Sequence, residues 1–380
     1  MPLSLYVHIP FCQSLCYYCG CNKIVTRNAD RVARYLAMLH REIDLQAALF
    51  DRQRKVEQLH FGGGTPTYLD EEQLDRLMEK LTQAFSFDNS DRREFSIEVD
   101  PRTVGQADVH RLARLGFNRL SLGIQDFNPL VQNAVNRIQS PEDVRDLVAA
   151  AREAGFKSLS FDLIYGLPRQ TVTSFDRTLE TVIAMRPDRL AVYNYAHLPQ
   201  RFKGQRMIAD SDIPEPRVKL DILHHTIDRL GDAGYEYIGM DHFALPDDDL
   251  VRGSIGNVYS QNAVTTMQYE AMLKDHQLPV FRGIAVDSDD RLRSAAIQAL
   301  MCYDRLSFDD FNAAHGVDFS HYFANEIERL RPLADDGLVA LDAAGITISR
   351  TGRLLLRSIA MVFDRYIDPS QNDGRFSKAI

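Results

Sequence analysis

The sequence predicts an α/β fold: a partial (β/α)6 barrel followed by a small C-terminal α+β domain of winged-helix-like outline. Three observations carry this. Short aliphatic and aromatic runs alternate with amphipathic helical stretches through the first two thirds of the 380 residues, the pattern of a parallel sheet with helices outside it. The helix-to-strand junction recurs as a glycine and then an aromatic, at Gly116-Phe117, Gly155-Phe156 and Gly234-Tyr235. From about Asp289 the pattern changes to helices followed by a hairpin.

Taken in order, the expected strands are Leu3 to Ile9, Val56 to Phe61, Phe95 to Val99, Arg119 to Gln125, Ser158 to Tyr165 and Arg189 to Tyr195. Each is short, apolar and bounded by Gly, Pro or Asp. Six are too few for an eight-fold barrel, so an open one is expected, with its site at the C-terminal ends of the strands. The best-marked helix starts at Ser140, which can cap, with Pro141 in the first helical position. Val144, Leu147, Val148 and Ala151 share one face, and Gly155 is the stop. In the tail, Leu292 to Tyr303 and Tyr322 to Leu333 read as helices. Leu338 to Leu341 and Ile346 to Ile348 read as a hairpin turned by Asp342-Ala343-Ala344-Gly345. Thr351 is expected to cap a last helix through Tyr366. The predicted organisation is a barrel over 1–250, a connecting segment over 251–288 and the C-terminal domain over 289–380.

Composition excludes several classes. With 44 Lys and Arg against 53 Asp and Glu, the formal charge is −9. Such a chain has no global attraction to nucleic acid or anionic lipid. No nucleic-acid partner is therefore expected, even for the winged-helix-like tail, which carries no basic run. There is no apolar run of about 18 residues to span a membrane. The start, Met1-Pro2-Leu3-Ser4-Leu5-Tyr6, lacks the basic and long apolar regions of a secretory signal. A cytoplasmic monomer is the expectation.

Four of the five cysteines fall between Cys12 and Cys21, while Cys302 sits in an apolar helical run as a core residue. In a reducing compartment, clustered thiols bind metal or do chemistry more often than they form disulfides. Cys12-x3-Cys16-x2-Cys19 places three thiolates on one loop after the first strand. Three cysteines can hold a four-iron cluster and leave one iron open, and open coordination marks a reactive site. A structural zinc would draw a second ligand pair from a separate segment, and none exists. Cys21 is either a thiol for chemistry beside the cluster or a buried bystander. Gly62-Gly63-Gly64-Thr65-Pro66 after the second strand is either a tight turn or a place where the backbone approaches a ligand. Glu98, Gln125 and Asp162, on strands three to five, and Arg137 in the loop after strand four can face the barrel mouth. The carboxylates could equally cap helices or pair with cations.

The cysteine spacing resembles that of the radical SAM enzymes. Within that superfamily the chain is similar to the oxygen-independent coproporphyrinogen III oxidase (dehydrogenase) family over nearly its whole length. The motifs that carry the likeness include Tyr6-Val7-His8-Ile9-Pro10-Phe11-Cys12, Cys19-Gly20-Cys21-Asn22-Lys23 and Gly62-Gly63-Gly64-Thr65-Pro66. Ser96-Ile97-Glu98-Val99-Asp100-Pro101, Gln125-Asp126-Phe127-Asn128, Asp162-Leu163-Ile164-Tyr165-Gly166-Leu167-Pro168, Asn194-Tyr195-Ala196-His197-Leu198-Pro199 and Gly239-Met240-Asp241-His242-Phe243 continue it. Cys21 separates the family from the related haem chaperones, which carry Phe there.

The resemblance implies a radical SAM barrel with a 4Fe-4S cluster on Cys12, Cys16 and Cys19. It implies two molecules of S-adenosylmethionine (SAM), the first contacting Tyr6, Gly63 and Glu98. The second would contact Tyr18, Gly64, Thr65, Gln125, Arg137, Asp162 and Ala196; Tyr18 stands where Phe is familiar. Cys21 would be catalytic. The implied reaction uses an electron from a donor partner to cleave SAM to a 5′-deoxyadenosyl radical. The radical abstracts hydrogen from a propionate β-carbon of coproporphyrinogen III. Loss of CO2 and an electron turns two propionates into vinyl groups, giving protoporphyrinogen IX for haem biosynthesis. Lys23, Arg27, Arg169 and Arg201 are candidates for the propionates. Two departures stand out. The family's N-terminal extension is absent, and so is a stretch like His-Arg-Asn-Phe-Gln-Gly-Tyr-Thr-Thr with a Gly-rich run, expected after Asp247-Asp248-Asp249-Leu250. The second loss implies impaired activity. Two alternatives stand beside the oxidase: a haem-binding or chaperone protein without oxidase activity, and a winged-helix regulator that senses through the cluster.

Overall fold

The computed structural model describes residues 2–239, 241–248, 258–263 and 265–367. The chain divides into two units, Met1–Tyr235 with Ser260–Gly283, and Glu236–Tyr259 with Ile284–Ile380.

The first unit is built on β1 (Leu3–Ile9), β2 (Lys55–Gly63), β3 (Glu94–Val99), β4 (Arg119–Gln125), β5 (Ser158–Tyr165) and β6 (Arg189–Asn194). They pair in sequence order and every pair is parallel. The crossovers carry α1 (Ala29–Ala47), α2 (Glu71–Ala84), α3 (Gln106–Arg114), α4 (Pro129–Ala134), α5 (Pro141–Glu153) and α6 (Val172–Met185); α7 (Pro216–Asp232) follows β6. Ends are set as the residues dictate. Ser140 accepts from the Asp143 N–H, Pro141 opens α5, and Gly155 takes φ +83° just beyond it. Among the described residues β1 and β6 do not pair with each other, so these six strands form the expected open parallel arrangement, with a two-residue strand, Ser86–Phe87, also paired to β2.

Period-two alternation along these strands makes two unlike faces. Phe95, Ile97 and Val99 on β3, Leu120, Leu122 and Ile124 on β4, and Leu159, Phe161 and Leu163 on β5 are buried. The intervening Ser96, Glu98, Ser121, Gln125, Ser160 and Asp162 are only partly covered. The apolar set forms the core with the helices, while the polar set is left for the barrel's inner face. α8 (Thr266–Lys274) also belongs to this unit, and its Tyr269 stacks on Tyr35 of α1 at 5.7 Å.

The second unit contains the antiparallel pair β7 (Glu236–Gly239) and β8 (His242–Ala244). Its remaining elements are α9 (Ser288–Tyr303), β9 (Arg305–Ser307), α10 (Phe308–His315), α11 (Phe319–Tyr322), α12 (Ala324–Asp335), β10 (Val339–Asp342), β11 (Gly345–Ile348) and α13 (Leu356–Ala360). β9, β11 and β10 form a three-stranded antiparallel sheet in that order, so a hairpin does follow the helices. The core is aromatic: Phe319 lies 4.8 Å from Phe308, 4.9 Å from Phe311 and 4.7 Å from Phe323.

Two tail expectations need correcting. The last helix is broken into 3-10 turns at Gly352–Leu355 and Met361–Phe363 around the short α13. Thr351 itself has helical φ and makes no side-chain cap. The cause is packing: a Cβ on Gly352 would lie 1.9 Å from the Leu338 carbonyl oxygen, and Leu356, Ile359, Ala360, Val362 and Phe363 are all buried. The helix expected from Tyr322 instead starts at Ala324, because Phe319 and Phe323 both turn into the core. Cys302 falls on α9, and its side chain lies outside the described residues.

Candidate functional site

The C-terminal ends of β2 to β6 open on a cavity of about 300 Å³. The cysteine loop forms one wall. Phe11-Cys12 and Ile24-Val25 pair as two short parallel strands, which closes the loop on itself. Three further contacts pin it: Tyr17 N–H to the Val135 carbonyl (2.9 Å), Asn136 Nδ2 to the Leu15 carbonyl (2.8 Å) and Gln205 Nε2 to the Tyr18 carbonyl (2.8 Å). Cys12, Cys16, Cys19 and Cys21 all line the cavity. Cys12 and Cys16 are buried, whereas Cys21 is exposed, so Cys21 is not the buried bystander that its sequence position allowed.

The thiols are electrostatically unlike. Burial pushes Cys12 up, opposed by the Thr65 hydroxyl, which donates to its sulfur at 3.6 Å. Cys19 is held down at about 5, chiefly because Cys21 donates to it, with Lys23 adding positive charge. Cys21 is raised by that same bond. At Cys16, Arg102 Nη2 and Arg137 Nη1 donate to the sulfur at 3.3 Å and 3.5 Å. Asp100 accepts from both guanidiniums. Burial pushes the Asp100 carboxyl up, but the two arginines hold it below its ordinary value.

The glycine run lies against the end of β1. Gly63 has φ +120°, and a Cβ on it would sit 2.7 Å from the His8 ring. A Cβ on Gly64 would sit 2.6 Å from the Pro10 carbonyl oxygen, so neither position tolerates a side chain without displacement. The Gly63 N–H donates to Glu98 Oε2 at 3.1 Å. His60 joins Glu98 (3.2 Å) to Ser96 (2.6 Å), and Tyr6 stacks on the His60 ring at 5.5 Å. Tyr6 shares its face of β1 with His8 and hydrogen-bonds it at 3.1 Å; His8 in turn meets the Asn22 carbonyl at 3.0 Å. These contacts tie the cysteine loop to the first three strands.

Gln125 ends β4 at φ +66°, with the Asp126 N–H bonded to the Ile124 carbonyl at 2.8 Å. This is a γ-turn at a non-glycine residue, a conformation that costs about 1–3 kcal/mol. Buried Asp126 holds it from beneath, accepting from Thr178 (2.7 Å), Gln170 (2.6 Å) and the Asn128 N–H (2.7 Å). Asp162 on β5 accepts from Ser121 at 3.3 Å, and burial followed by the charge of Glu98 pushes its carboxyl up to about 7.

The cavity therefore gathers Gly63, Gly64, Thr65, Glu98, Gln125, Arg137, Asp162 and Tyr18 with the four cysteines. Arg137 arrives by way of α4, which interrupts the loop after β4. Tyr6, 59% exposed, and Ala196, whose carbonyl accepts from Gln205 at 3.1 Å, are not among the lining residues. Of the four propionate candidates, only Lys23 is on the wall. Arg169 pairs with Asp212 at 3.0 Å, and Arg201 lies over the Phe202 ring at 5.4 Å. The sequence reading missed Arg102 and the ligand-side position of Asp100. Glu98, Asp100 and Arg102 recur at period two from β3 into the Asp-Pro turn, and that was the available signal.

Three soft thiols on one loop, each with a different neighbour, fit a cubane cluster. Among the described residues no three His, Cys, Asp or Glu side chains converge as one metal ion requires. A cubane does not ask for this, because each cysteine binds a different iron.

A radical SAM superfamily profile matches residues 6–182, and a HemN C-terminal domain profile matches residues 286–355; the class is radical SAM. The oxygen-independent coproporphyrinogen III oxidase of Pseudomonas aeruginosa is 48% identical over 100% of this chain and 89% of its own length. That of Escherichia coli is 46% identical with the same coverage. The solved structure of coproporphyrinogen III oxidase from Escherichia coli superposes with a TM-score of 0.91 at 47% identity, covering 96% of this chain and 91% of that one. The chain belongs to the oxygen-independent coproporphyrinogen III oxidase family. The Pseudomonas alignment runs over 409 positions against 380 residues here, leaving 29 without a counterpart in this chain. The segment expected to be missing would fall after Leu250, and residues 249–257 lie outside the described ones. Among the described residues no helix is long and apolar enough to cross a membrane.

Proposed function

We propose that this chain carries out the oxygen-independent oxidative decarboxylation of coproporphyrinogen III, turning two propionates into vinyl groups and yielding protoporphyrinogen IX. One observation carries the reading: a single cavity at the strand ends collects the three-cysteine loop, the glycine run and the polar set of β3 to β5. Cys12, Cys16 and Cys19 would hold a 4Fe-4S cluster which, with SAM on its open iron, supplies a 5′-deoxyadenosyl radical. Everything else is the work of this chain's residues.

Gly63, with its N–H turned to Glu98, would let a first SAM approach the backbone, and Tyr6 would flank it. Tyr18, Gly64, Thr65, Gln125, Arg137, Asp162 and the Ala196 segment would take a second SAM. Support comes from the γ-turn that sets Gln125 at the cavity and from the near-neutral Asp162, which can hold a proton or pair with an ammonium group at its Oδ atoms. Lys23 would meet a propionate at the wall. Cys21 would act on substrate at the mouth, a role that its exposure supports. The electron comes from an external one-electron donor, and the enzyme works as a cytoplasmic monomer. A missing stretch after Leu250 would take away part of the pocket wall, and a raised KM and slower turnover than in the relatives are then expected. Anaerobic reconstitution followed by turnover with coproporphyrinogen III and SAM tests the proposal, and protoporphyrinogen IX is the expected product. Stoichiometric haem binding with no decarboxylation would favour a haem-binding protein instead. Release of 5′-deoxyadenosine without vinyl product would remove the substrate assignment.

A further inference from the structure

We infer that Arg102, oriented by Asp100 and reinforced by Arg137, tunes the reduction potential of the cluster through the Cys16 sulfur. The inference rests on the cluster reading above. Arg102 is a positioning and tuning residue here, with no contact to substrate required of it.

The geometry is specific to Cys16. Among the described residues it is the cysteine that receives guanidinium donors, from Arg102 at 3.3 Å and Arg137 at 3.5 Å. Both donors are enclosed, with side chains 17% and 7% exposed. Asp100 fixes Arg102 as a fork: Nε lies 2.9 Å and 3.2 Å from the two carboxylate oxygens and Nη2 lies 2.6 Å from Oδ2. Arg137 is held by the Gly123 carbonyl at 2.5 Å as well as by Asp100. Two cations and one anion leave a net charge of about +1 against one thiolate, in a setting where charges are weakly screened.

Reduction adds one electron, and so one negative charge, to the cluster that Cys16 would ligate. Donors to a ligand sulfur and positive charge beside it stabilise the reduced form more than the oxidised one, which raises the potential. Neutralising the cation should lower it, and neutralising Asp100 should raise it. A purely structural role for the Asp100–Arg102 turn predicts no such opposition of sign.

The test uses the full chain, reconstituted anaerobically, with iron and sulfide counted and the midpoint followed by EPR during titration with dithionite, without SAM. For Arg102→Gln the ratio of reduced to oxidised cluster at fixed poise should fall about tenfold, which for one electron is about 59 mV downward. Arg102→Lys, which keeps the charge but loses the fork, should move the same way by less. Asp100→Asn should move it upward. Unchanged midpoints in both arginine variants at wild-type iron content would overturn the inference. A wild-type chain that takes up no four-iron cluster would overturn the cluster reading itself, a separable failure.

Discussion

Replacing Asp162 by Asn should change how stability depends on pH, and the structure gives both direction and size. In the folded chain this carboxyl is pushed from 3.8 up to about 7, first by burial and then by the charge of Glu98. Below about pH 4 the group is protonated both folded and unfolded, and it costs nothing. As pH rises from about 4 to about 7 the unfolded chain ionises while the folded chain keeps its proton, so stability falls. Above about 7 both states are ionised and the loss is complete. At about 1.4 kcal/mol per unit, the loss over this window is about 4 kcal/mol. That is an upper bound, because Asp162 borders an open cavity and solvent screens it. Asn cannot titrate, so the stability of Asp162→Asn relative to wild type should rise from about pH 4 to about 7 and then level off. Anaerobic urea unfolding of the cofactor-free chain at a series of pH values measures that difference. A difference that is flat with pH, or that grows toward acid, refutes the reasoning. Glu98→Gln in the wild-type background should move the window toward lower pH, since it removes the second cause.

Other substitutions separate the parts of the site. Asp126→Ala strands the donors of Thr178, Gln170 and Asn128; at about 1–3 kcal/mol per unsatisfied group it should cost at least about 3 kcal/mol in chemical denaturation. It should also weaken SAM binding in equilibrium dialysis, because the γ-turn at Gln125 loses its support. Cys16→Ala should lose the cluster's iron, whereas Cys21→Ser should keep it and lose vinyl-product formation; iron counting beside product analysis tells them apart. Phe319→Ala empties the centre of the second unit's aromatic core and should cost about 3–5 kcal/mol in that unit's unfolding while leaving iron content unchanged.

Much of this was legible before the structure. β1, β4 and β5 begin and end where the alternation of apolar residues and the flanking Gly, Pro and Asp place them. Local chemistry sets those boundaries, as it does for Ser140, Pro141 and Gly155 around α5. The cysteine spacing pointed to the cavity for the same reason: the ligand set lies within one loop. What sequence could not show depends on contacts between distant segments. The bond from Arg102 to Cys16 spans 86 positions, and nothing in a lone arginine after an Asp-Pro turn announces it. The tail's last helix had good local signals, yet the close approach of Gly352 to the Leu338 carbonyl breaks it. Asp162 reads as any strand carboxylate until burial and Glu98 are seen together. Tertiary context decides each of these cases.

On this reading the cavity directs a SAM-derived radical to a propionate side chain. Single turnover of the anaerobically reconstituted chain with coproporphyrinogen III deuterated at the propionate β-carbons tests it most directly. The account predicts that deuterium appears in 5′-deoxyadenosine as vinyl product forms. Deuterium-free 5′-deoxyadenosine, released while the propionates stay intact, would contradict it.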